Sequence, residues 1–229
     1  MSAESDIDPE SPETGEADSE AHADADAVEG TAESPETDAQ AETDAPDGDG
    51  DRTTVATVCL GGCSGCHMEF LNVDHGLVDL LDDVEFVASH MIVDEKSVPK
   101  ADVGIAEGVV TNEENVEVAQ ELREHCDTVV AWGDCAALRG IMSLRNDQDP
   151  DAMLEATFED KADDHSAVPT GEGEAVPRLL QDARPLDEFI EVDVFVPGCP
   201  PDAEVMESSL AALARGETPE IAGEALQYD

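Results

Sequence analysis

The sequence predicts an α/β domain in which a parallel sheet carries helices on both faces, preceded by a disordered acidic tail. Short apolar, β-prone segments alternate with longer segments of helical pattern, and glycines follow several of the apolar segments. These two observations predict the domain. The composition changes sharply near residue 51, and this third observation predicts the tail.

The first 50 residues contain eighteen Asp or Glu side chains and no Lys or Arg, and Ile7 and Val28 are almost their only large apolar residues. Such a segment buries too little apolar surface to offset the entropy that ordering costs. We therefore predict a disordered tail over residues 1–51, a folded domain over 52–222 and a short C-terminal tail over 223–229.

The rest of the chain keeps forty acidic residues against all ten basic ones. This bias suggests a halophilic source, because molar salt screens repulsion between carboxylates, although an ordinary acidic protein is the alternative. Nucleic acid is not an expected partner, since phosphate binding needs basic patches. The sequence shows no membrane-spanning apolar run and no secretory pattern. We therefore expect a cytoplasmic protein with reduced cysteines and no direct membrane insertion.

Eight elements are predicted along the folded part. The strands are residues 53–60, 84–89, 101–107, 127–132 and 191–196, and the helices are residues 64 to about 81, 112–125 and 202–215. The second helix has acidic residues in its first turn and Arg123 and His125 in its last, as the helix dipole favours. Pro200 and Pro201 can open the third helix, since proline is tolerated in a first turn.

A long polar stretch, residues 145–188, separates the last two predicted strands. It exceeds an ordinary connection, so we predict an irregular excursion that packs on a partner and contains one short helix near 151–158. The short strands alternating with helices predict a flavodoxin-like parallel sheet with helices on both faces.

The predicted strand order determines at which edge of the sheet each cysteine lies. Four of them follow the carboxyl ends of predicted strands: Cys63 and Cys66 after the first, Cys135 after the fourth and Cys199 after the fifth. Because the carboxyl ends of parallel strands share one edge, we expect these four thiols to lie together there. Cys59 lies inside the first strand and Cys126 precedes the fourth. Both are predicted to be small buried apolar residues away from the shared edge.

Four converging thiolates suit an iron–sulfur cluster or a zinc ion. A structural zinc site usually comes from two close cysteine pairs, whereas here 68 residues lie between Cys66 and Cys135 and a further 63 lie between Cys135 and Cys199. This spacing favours a buried [4Fe–4S] cluster. A structural zinc site, a redox dithiol of Cys63 and Cys66, and four unrelated core cysteines are the alternatives.

With these motifs the chain resembles the small subunit of [NiFe] hydrogenases and, more widely, the cluster-bearing 20 kDa subunit family of NADH:ubiquinone oxidoreductase. Three blocks carry the resemblance, and they are residues 60–71 around the Cys-x-x-Cys, 133–136 (Gly-Asp-Cys-Ala) and 194–201 (Val-Phe-Val-Pro-Gly-Cys-Pro-Pro). The chain resembles in particular the small (delta) subunit of cytosolic NAD-reducing hydrogenases. Complex I members have adjacent cysteines in the first block, so the separation of Cys63 from Cys66 argues for the hydrogenase branch.

The resemblance implies that one proximal [4Fe–4S] cluster is ligated by Cys63, Cys66, Cys135 and Cys199. It implies an oxidoreductase subunit whose partner, the hydrogenase large subunit, holds the nickel–iron centre and carries out the hydrogen chemistry. Electrons would then pass to diaphorase subunits with flavin and NAD. A complex I-like module that reduces quinone and a non-catalytic structural metal-binding protein are the alternatives.

Three acid–base residues near these cysteines are candidates for proton transfer or cluster tuning. Glu107 ends the third predicted strand at the same edge, and capping of the loop is its alternative role. His67 and Glu69 flank the cluster loop, and the better interpretation of both is contact with the large subunit. Residues 67–72 are accordingly predicted to form part of the partner surface. Asp134 is predicted to cap the turn that presents Cys135.

Overall fold

The computed structural model describes residues 52–93, 95, 97–159, 168 and 176–223. The predicted acidic tail, residues 1–51, lies outside them, as do most of the predicted C-terminal tail and the middle of the predicted excursion. Among the described residues, no helix combines the length and the apolar character that crossing a bilayer requires.

Seven strands are present in the described residues: β1 (Thr53–Cys59), β2 (Val84–Ser89), β3 (Ala101–Glu107), β4 (Val110–Asn112), β5 (Cys126–Trp132), β6 (Leu179–Arg184) and β7 (Val194–Val196). Five of them form a parallel sheet in the order β2-β1-β3-β5-β7. With β4 and β6 set aside, this is the strand order of the flavodoxin-like fold. The predicted fold class is therefore confirmed.

Helices cover both faces of the sheet. They are α1 (Gly65–Phe70), α2 (His75–Leu80), α3 (Glu113–His125), α4 (Gly133–Leu138), α5 (Pro150–Phe158) and α6 (Ala203–Ala214). One apolar core joins Phe70 of α1 and Met206 of α6 to the sheet, and a second joins Leu122 of α3 to the other face. Two separate cores are what a sheet buried on both sides requires.

Side chains along β3 alternate between these two cores, as the two-residue period of a strand dictates. Val103 and Ile105 belong to the core under α1 and α6, whereas Ala106 belongs to the core under α3. Glu107 is two residues beyond Ile105 and therefore continues the row under α1. The strand thus ends by placing a carboxylate at the edge of an apolar core.

The helix predicted from residue 64 to residue 81 is interrupted. α1 ends at Phe70, a 3-10 turn follows over Leu71–Val73, and α2 begins after Asp74, which has a φ of 55°. Asn72, Val73 and Asp74 all have low helix propensity, so this segment has little local preference for continuing the helix.

The excursion predicted over residues 145–188 is more regular than expected where the structure describes it. α5 confirms the short helix predicted near residues 151–158. β6 lies in the same stretch and pairs antiparallel with β4, and neither strand is predicted from the sequence. The Asn146 side chain bonds to both backbone groups of Ala183, at 2.9 and 2.7 Å, and so fastens the stretch after α4 to β6.

The other predicted elements differ from the structure mainly at their ends. α3 begins one residue late because Asn112 serves as its N-cap and accepts the N–H of Asn115. The last sheet strand covers residues 194–196 instead of 191–196. Before it, the N–H of Asp193 donates to the Val129 carbonyl at 2.9 Å, and the Asp193 carboxylate accepts the Val129 N–H at 2.7 Å.

Candidate functional site

The four cysteines predicted to converge follow the carboxyl ends of β1, β5 and β7. Cys63 and Cys66 lie in the turn into α1 and its first turn, Cys135 lies in the first turn of α4, and Cys199 lies in the loop after β7. Because these strands are parallel members of one sheet, all four residues are at its carboxyl edge. All six cysteines of the chain are free thiols.

These thiols are close enough to influence one another. Burial raises the pKa of the Cys66 thiol, and the nearby Glu107, Cys135 and Cys63 raise it further. Burial also raises the pKa of Cys135, followed by the effects of Cys199 and Cys63. Each of the four thus neighbours another member of the set. Bringing four thiolates together is electrostatically unfavourable unless a cation is bound among them.

Glycines surround these sulfur atoms at positions where a side chain does not fit. Gly133, at a φ of +81°, has no room for a Cβ because that atom would collide with Cys66 Sγ. A Cβ on Gly140 would lie 2.9 Å from Cys135 Sγ, and one on Gly65 would lie 3.0 Å from Cys63 Sγ. Bare backbone of this kind can approach a cofactor closely and direct N–H groups at its sulfur atoms.

Asp134 joins the two loops that present Cys135 and Cys199. Its backbone N–H donates to the carbonyl of Gly198 at 2.8 Å, and its Oδ1 accepts the Gly198 N–H at 2.7 Å. The predicted capping of the Cys135 turn is not observed, because α4 has no side-chain cap bond and the Asp134 side chain instead bridges to the loop of Cys199, 64 residues away.

Glu107 is buried behind the cysteines, with 2% of its surface exposed. Its Oε2 accepts the backbone N–H of His67 at 2.9 Å, and its Oε1 accepts the thiol proton of Cys59 at 3.1 Å. Burial favours the neutral acid, yet the imidazole of His67, then the Cys59 thiol and the His67 N–H, outweigh it and hold the pKa of Glu107 at about 2. The carboxylate is therefore ionised at neutral pH.

His67 is buried rather than part of the partner surface, so that prediction is wrong. Only 3% of it is exposed, and its ring meets those of His90 and Trp132 edge-on, with centroids 4.3 and 5.8 Å away. Nδ1 lies 3.0 Å from Glu107 Oε2, within ion-pair distance but outside hydrogen-bond geometry. Nε2 also has no hydrogen-bond partner among the described residues.

Glu69 lies outside the group formed by Glu107, His67 and Cys59. It is half-buried and accepts a hydrogen bond from Asn72 Nδ2 at 2.8 Å, which holds its own turn of the chain. Within the predicted partner surface over residues 67–72, Met68 and Asn72 are exposed, whereas His67 and Phe70 are buried.

The prediction that Cys59 is a small buried apolar residue away from the shared edge is wrong. It is the last residue of β1, lies opposite Glu107 of β3 in the ladder, and its Sγ is 3.3 Å from Ser64 Oγ. Burial raises its pKa to about 11, so it is a thiol at neutral pH. The strand alternation that places Val55 in the core under α1 also places Cys59 on that face, and this signal could have revealed it. Cys126 is buried at the opposite edge, as predicted.

Large exposed apolar side chains also lie beyond these strand ends, and apart from Met68, which falls within the predicted partner surface, they are not predicted from the sequence. We call four of them the apolar rim: Met68, Leu138, Ile141 and Leu144, which are 52, 63, 66 and 70% exposed. Several exposed apolar groups near one edge indicate an interaction surface. They are hard to recognise in the sequence because polar residues and glycine separate them.

Comparison with known proteins places the chain among oxidoreductase subunits. The family model for the NADH ubiquinone oxidoreductase 20 kDa subunit matches residues 63–213, which include all four converging cysteines. The chain is 33% identical over 181 residues to the delta subunit of the NAD-reducing hydrogenase HoxS from Cupriavidus necator, covering 76% of this chain and 85% of that one.

It is also 37% identical to one of the subunits of the F420-non-reducing hydrogenase from Methanothermobacter thermautotrophicus, over 75% of this chain and 56% of that protein. The chain thus spans a little over half the length of such relatives. A crystal structure of an NAD+-reducing [NiFe]-hydrogenase in the H2-reduced state matches with a TM-score of 0.73 and 37% identity, covering 78% of this chain and 99% of the matched one. The chain therefore belongs to the NADH ubiquinone oxidoreductase 20 kDa subunit family, in the branch of the small subunits of NAD-reducing and related hydrogenases.

Proposed function

We propose that this chain is the electron-transferring small subunit of a [NiFe] hydrogenase. In this proposal Cys63, Cys66, Cys135 and Cys199 hold one [4Fe–4S] cluster. The observation that carries it is the convergence of four free cysteines from three strand ends at one edge of the sheet. A set of four cysteine thiolates is the usual ligand set of such a cluster.

The surroundings of these thiols fit a cluster better than the alternatives. Gly65, Gly133 and Gly140 keep Cβ atoms away from the sulfur ligands, which suits a bulky cofactor more than a single zinc ion. The sheet already fixes the three strand ends, so a structural zinc ion would add little. A dithiol of Cys63 and Cys66 would leave Cys135 and Cys199 without a role.

When bound, the cluster supplies a centre that accepts and releases electrons one at a time. The residues of this chain hold and shield it. Asp134 keeps the loops of Cys135 and Cys199 together, and Trp132 and Phe70, which are 1 and 2% exposed, exclude water on the inner side. Cys63 and Cys199 are exposed, so the outer side of the site is open for a partner protein to cover.

We propose the hydrogenase large subunit as that partner, with its nickel–iron centre as the place where hydrogen reacts. The apolar rim beside the cysteines supports a docking surface. The likeness to HoxS delta and to an NAD+-reducing [NiFe]-hydrogenase supports onward transfer to diaphorase subunits that bind flavin and NAD. The same proposal places the complex in the cytoplasm, and the acidic composition supports a halophilic source.

The test is a Cys66→Ser variant in the purified complex. We expect hydrogen-dependent NAD reduction and the cluster iron to be lost, while NADH-dependent dye reduction persists on the diaphorase side. Cys126→Ala is the matched control, because Cys126 is a buried cysteine at the opposite edge of the sheet. Hydrogen-dependent NAD reduction that survives in Cys66→Ser would overturn the proposal.

Metal analysis of the wild-type complex separates the remaining candidates. Four iron ions per small subunit beside a nickel-bearing partner support the hydrogenase. Four iron ions with a nickel-free partner point to a complex I-like module, the candidate that the 20 kDa family match also favours. Zinc at the four cysteines in place of iron points to a structural metal-binding protein.

A further inference from the structure

A second set of metal-binding side chains lies beside the four cysteines, and the proposed cluster does not use it. Cys59 Sγ, a ring nitrogen of His90 and a carboxylate oxygen of Glu107 all lie within 4.8 Å of one another. We propose that these three residues form a separate site for one divalent cation, and that the cation is zinc.

The three ligands come from neighbouring strands, which fixes their relative positions. Cys59 ends β1, Glu107 ends β3 directly opposite it, and His90 follows the last residue of β2. β2, β1 and β3 are consecutive in the sheet, so their backbone ladders hold the ligands before any metal binds. A site that is built in this way loses little conformational entropy when it binds an ion.

The separations match the size of a zinc site. Tetrahedral zinc has bonds of about 2.0–2.3 Å, which place its ligand atoms about 3.3–3.8 Å apart. Cys59 Sγ and Glu107 Oε1 are already 3.1 Å apart, and the whole set falls within 4.8 Å. His90 is exposed, so its side chain is free to adjust its torsion angles towards the shorter separations of a bound zinc ion.

The chemistry of the three donors favours zinc. A thiolate, an imidazole and a carboxylate together form a ligand set of intermediate softness, which zinc accepts and which calcium or magnesium does not. In the structure the Cys59 thiol keeps its proton and donates a hydrogen bond to Glu107. Zinc would replace that proton: a Zn–S bond forms, the proton leaves to solvent, and no oxidant or reductant is needed. The two negative charges of thiolate and carboxylate then balance the ion.

His67 provides the second, independent observation at this site. It is 3% exposed, its ring meets the ring of His90 edge-on at 4.3 Å, and Nδ1 lies 3.0 Å from Glu107 Oε2, whereas Nε2 has no hydrogen-bond partner among the described residues. Buried imidazole nitrogens are normally hydrogen-bonded, so the unpartnered Nε2 of His67, beside His90 and Glu107, indicates that a polar ligand can bind there. His67 also holds Glu107 Oε2 through its backbone N–H, which directs the other oxygen, Oε1, towards Cys59.

A dication here would tie together the ends of three strands. It would also put a positive charge beside the cysteines proposed to hold the cluster, since Cys59 interacts electrostatically with Cys63. This role is separate from electron transfer and does not depend on it. It also explains why Cys59, partly exposed at the edge, has polar neighbours instead of core packing.

The experiment measures zinc in the purified complex from zinc-supplemented cells after dialysis against EDTA. We expect one zinc ion per chain that resists chelation, and a zinc K-edge spectrum with one sulfur and otherwise nitrogen or oxygen ligands. Cys59→Ser and His90→Ala should each lower zinc occupancy at least tenfold. The matched controls are Cys126→Ala, a buried cysteine elsewhere, and His75→Ala, an exposed histidine on α2.

Equal zinc content in wild type and His90→Ala, zinc without a sulfur ligand, or zinc removed by EDTA would each overturn the proposal. His90 is exposed, so its variant should fold even if Cys59→Ser does not. Iron content and hydrogen-dependent NAD reduction are measured on the same samples. Loss of zinc with iron retained supports this site alone, whereas absence of iron from the wild type contradicts the proposed function and leaves the zinc result interpretable.

Discussion

Glu107 and His67 connect the end of β3 to the first turn of α1, because Oε2 of Glu107 accepts the His67 N–H at 2.9 Å and lies 3.0 Å from Nδ1. The two residues are 40 positions apart in the sequence. His67 directly follows Cys66, so this contact fixes the turn that presents Cys63 and Cys66. The carboxylate therefore has a structural role at the site, whatever part it takes in proton transfer.

Glu107→Ala removes the acceptor of a buried backbone N–H and of the Cys59 thiol. We expect the free energy of unfolding to fall by about 3 kcal/mol, since a buried donor left unpaired costs its full desolvation. Glu107→Gln keeps an oxygen that can accept the His67 N–H and should lose clearly less. Denaturant unfolding of the full chain measures both variants, and equal losses would show that the carboxylate acts in some other way.

Gly133→Ala should disturb the cysteine site more than the fold. The new Cβ would meet Cys66 Sγ, and the φ of +81° is unfavourable for alanine. We expect cluster iron to fall severalfold in the purified complex. Gly216→Ala is the matched control, since its φ is +71° but no atom lies within 4 Å of the added Cβ. That variant should lose only about 1 kcal/mol of stability and keep its iron, so iron loss in both would contradict the steric explanation.

The success and failure of the sequence predictions have physical causes. Strand periodicity is local, and parallel strands share an edge, so the sheet and the convergence of Cys63 with Cys135 could be predicted. The relation between Cys59 and Glu107 depends on where β1 ends and on its register with β3, and the predicted strand ran one residue too far. The pairing of β4 with β6 joins distant segments, one of only three residues, so it leaves almost no local pattern.

Asn146→Ala should destabilise the connection between α4 and β6. The amide both donates to the carbonyl of Ala183 and accepts its N–H, and Ala183 is fully buried. Removing it leaves both backbone groups unpaired, at a cost of about 2–3 kcal/mol. Asn72→Ala is the control, because Asn72 is exposed and bonds only one turn away to Glu69. Denaturant unfolding should separate the two variants, and similar losses would contradict this explanation.

Asp193 should make the fold sensitive to acid. Burial favours its neutral form, yet the N–H of Val129 and the guanidinium of Arg123 outweigh this and hold the pKa of Asp193 below its usual value. A depressed folded-state pKa adds stability above the unfolded value of about 3.9, and that stability is lost as the pH falls through the folded value.

Asp193→Asn should therefore be less stable than wild type by about 1 kcal/mol at neutral pH, a modest figure because the side chain of Asp193 is 40% exposed. The difference should shrink as the pH falls below about 4, because the carboxylate of Asp193 is protonated first in the unfolded chain and only at lower pH in the folded protein. Denaturant unfolding at several pH values and constant salt measures it. A difference that stays constant across this range would show that the charge of Asp193 is not the cause.

The apolar rim should decide whether the chain binds its proposed large subunit. Ile141 is 66% exposed in the 3-10 turn Gly140–Asp147, close to Cys135, and an interface would bury it. Ile141→Asp would place an unpaired charge in that interface, so we expect affinity for the large subunit to fall by roughly a hundredfold.

Val78→Asp is the matched control, because Val78 is 67% exposed on α2 and is not part of the rim. Both variants should unfold at the wild-type denaturant concentration, since neither side chain is in a core, and copurification with the large subunit should distinguish them. Equal retention of the partner by Ile141→Asp and Val78→Asp would place the interface elsewhere, whereas selective loss in Ile141→Asp would show that the large subunit covers the exposed side of the cysteine site.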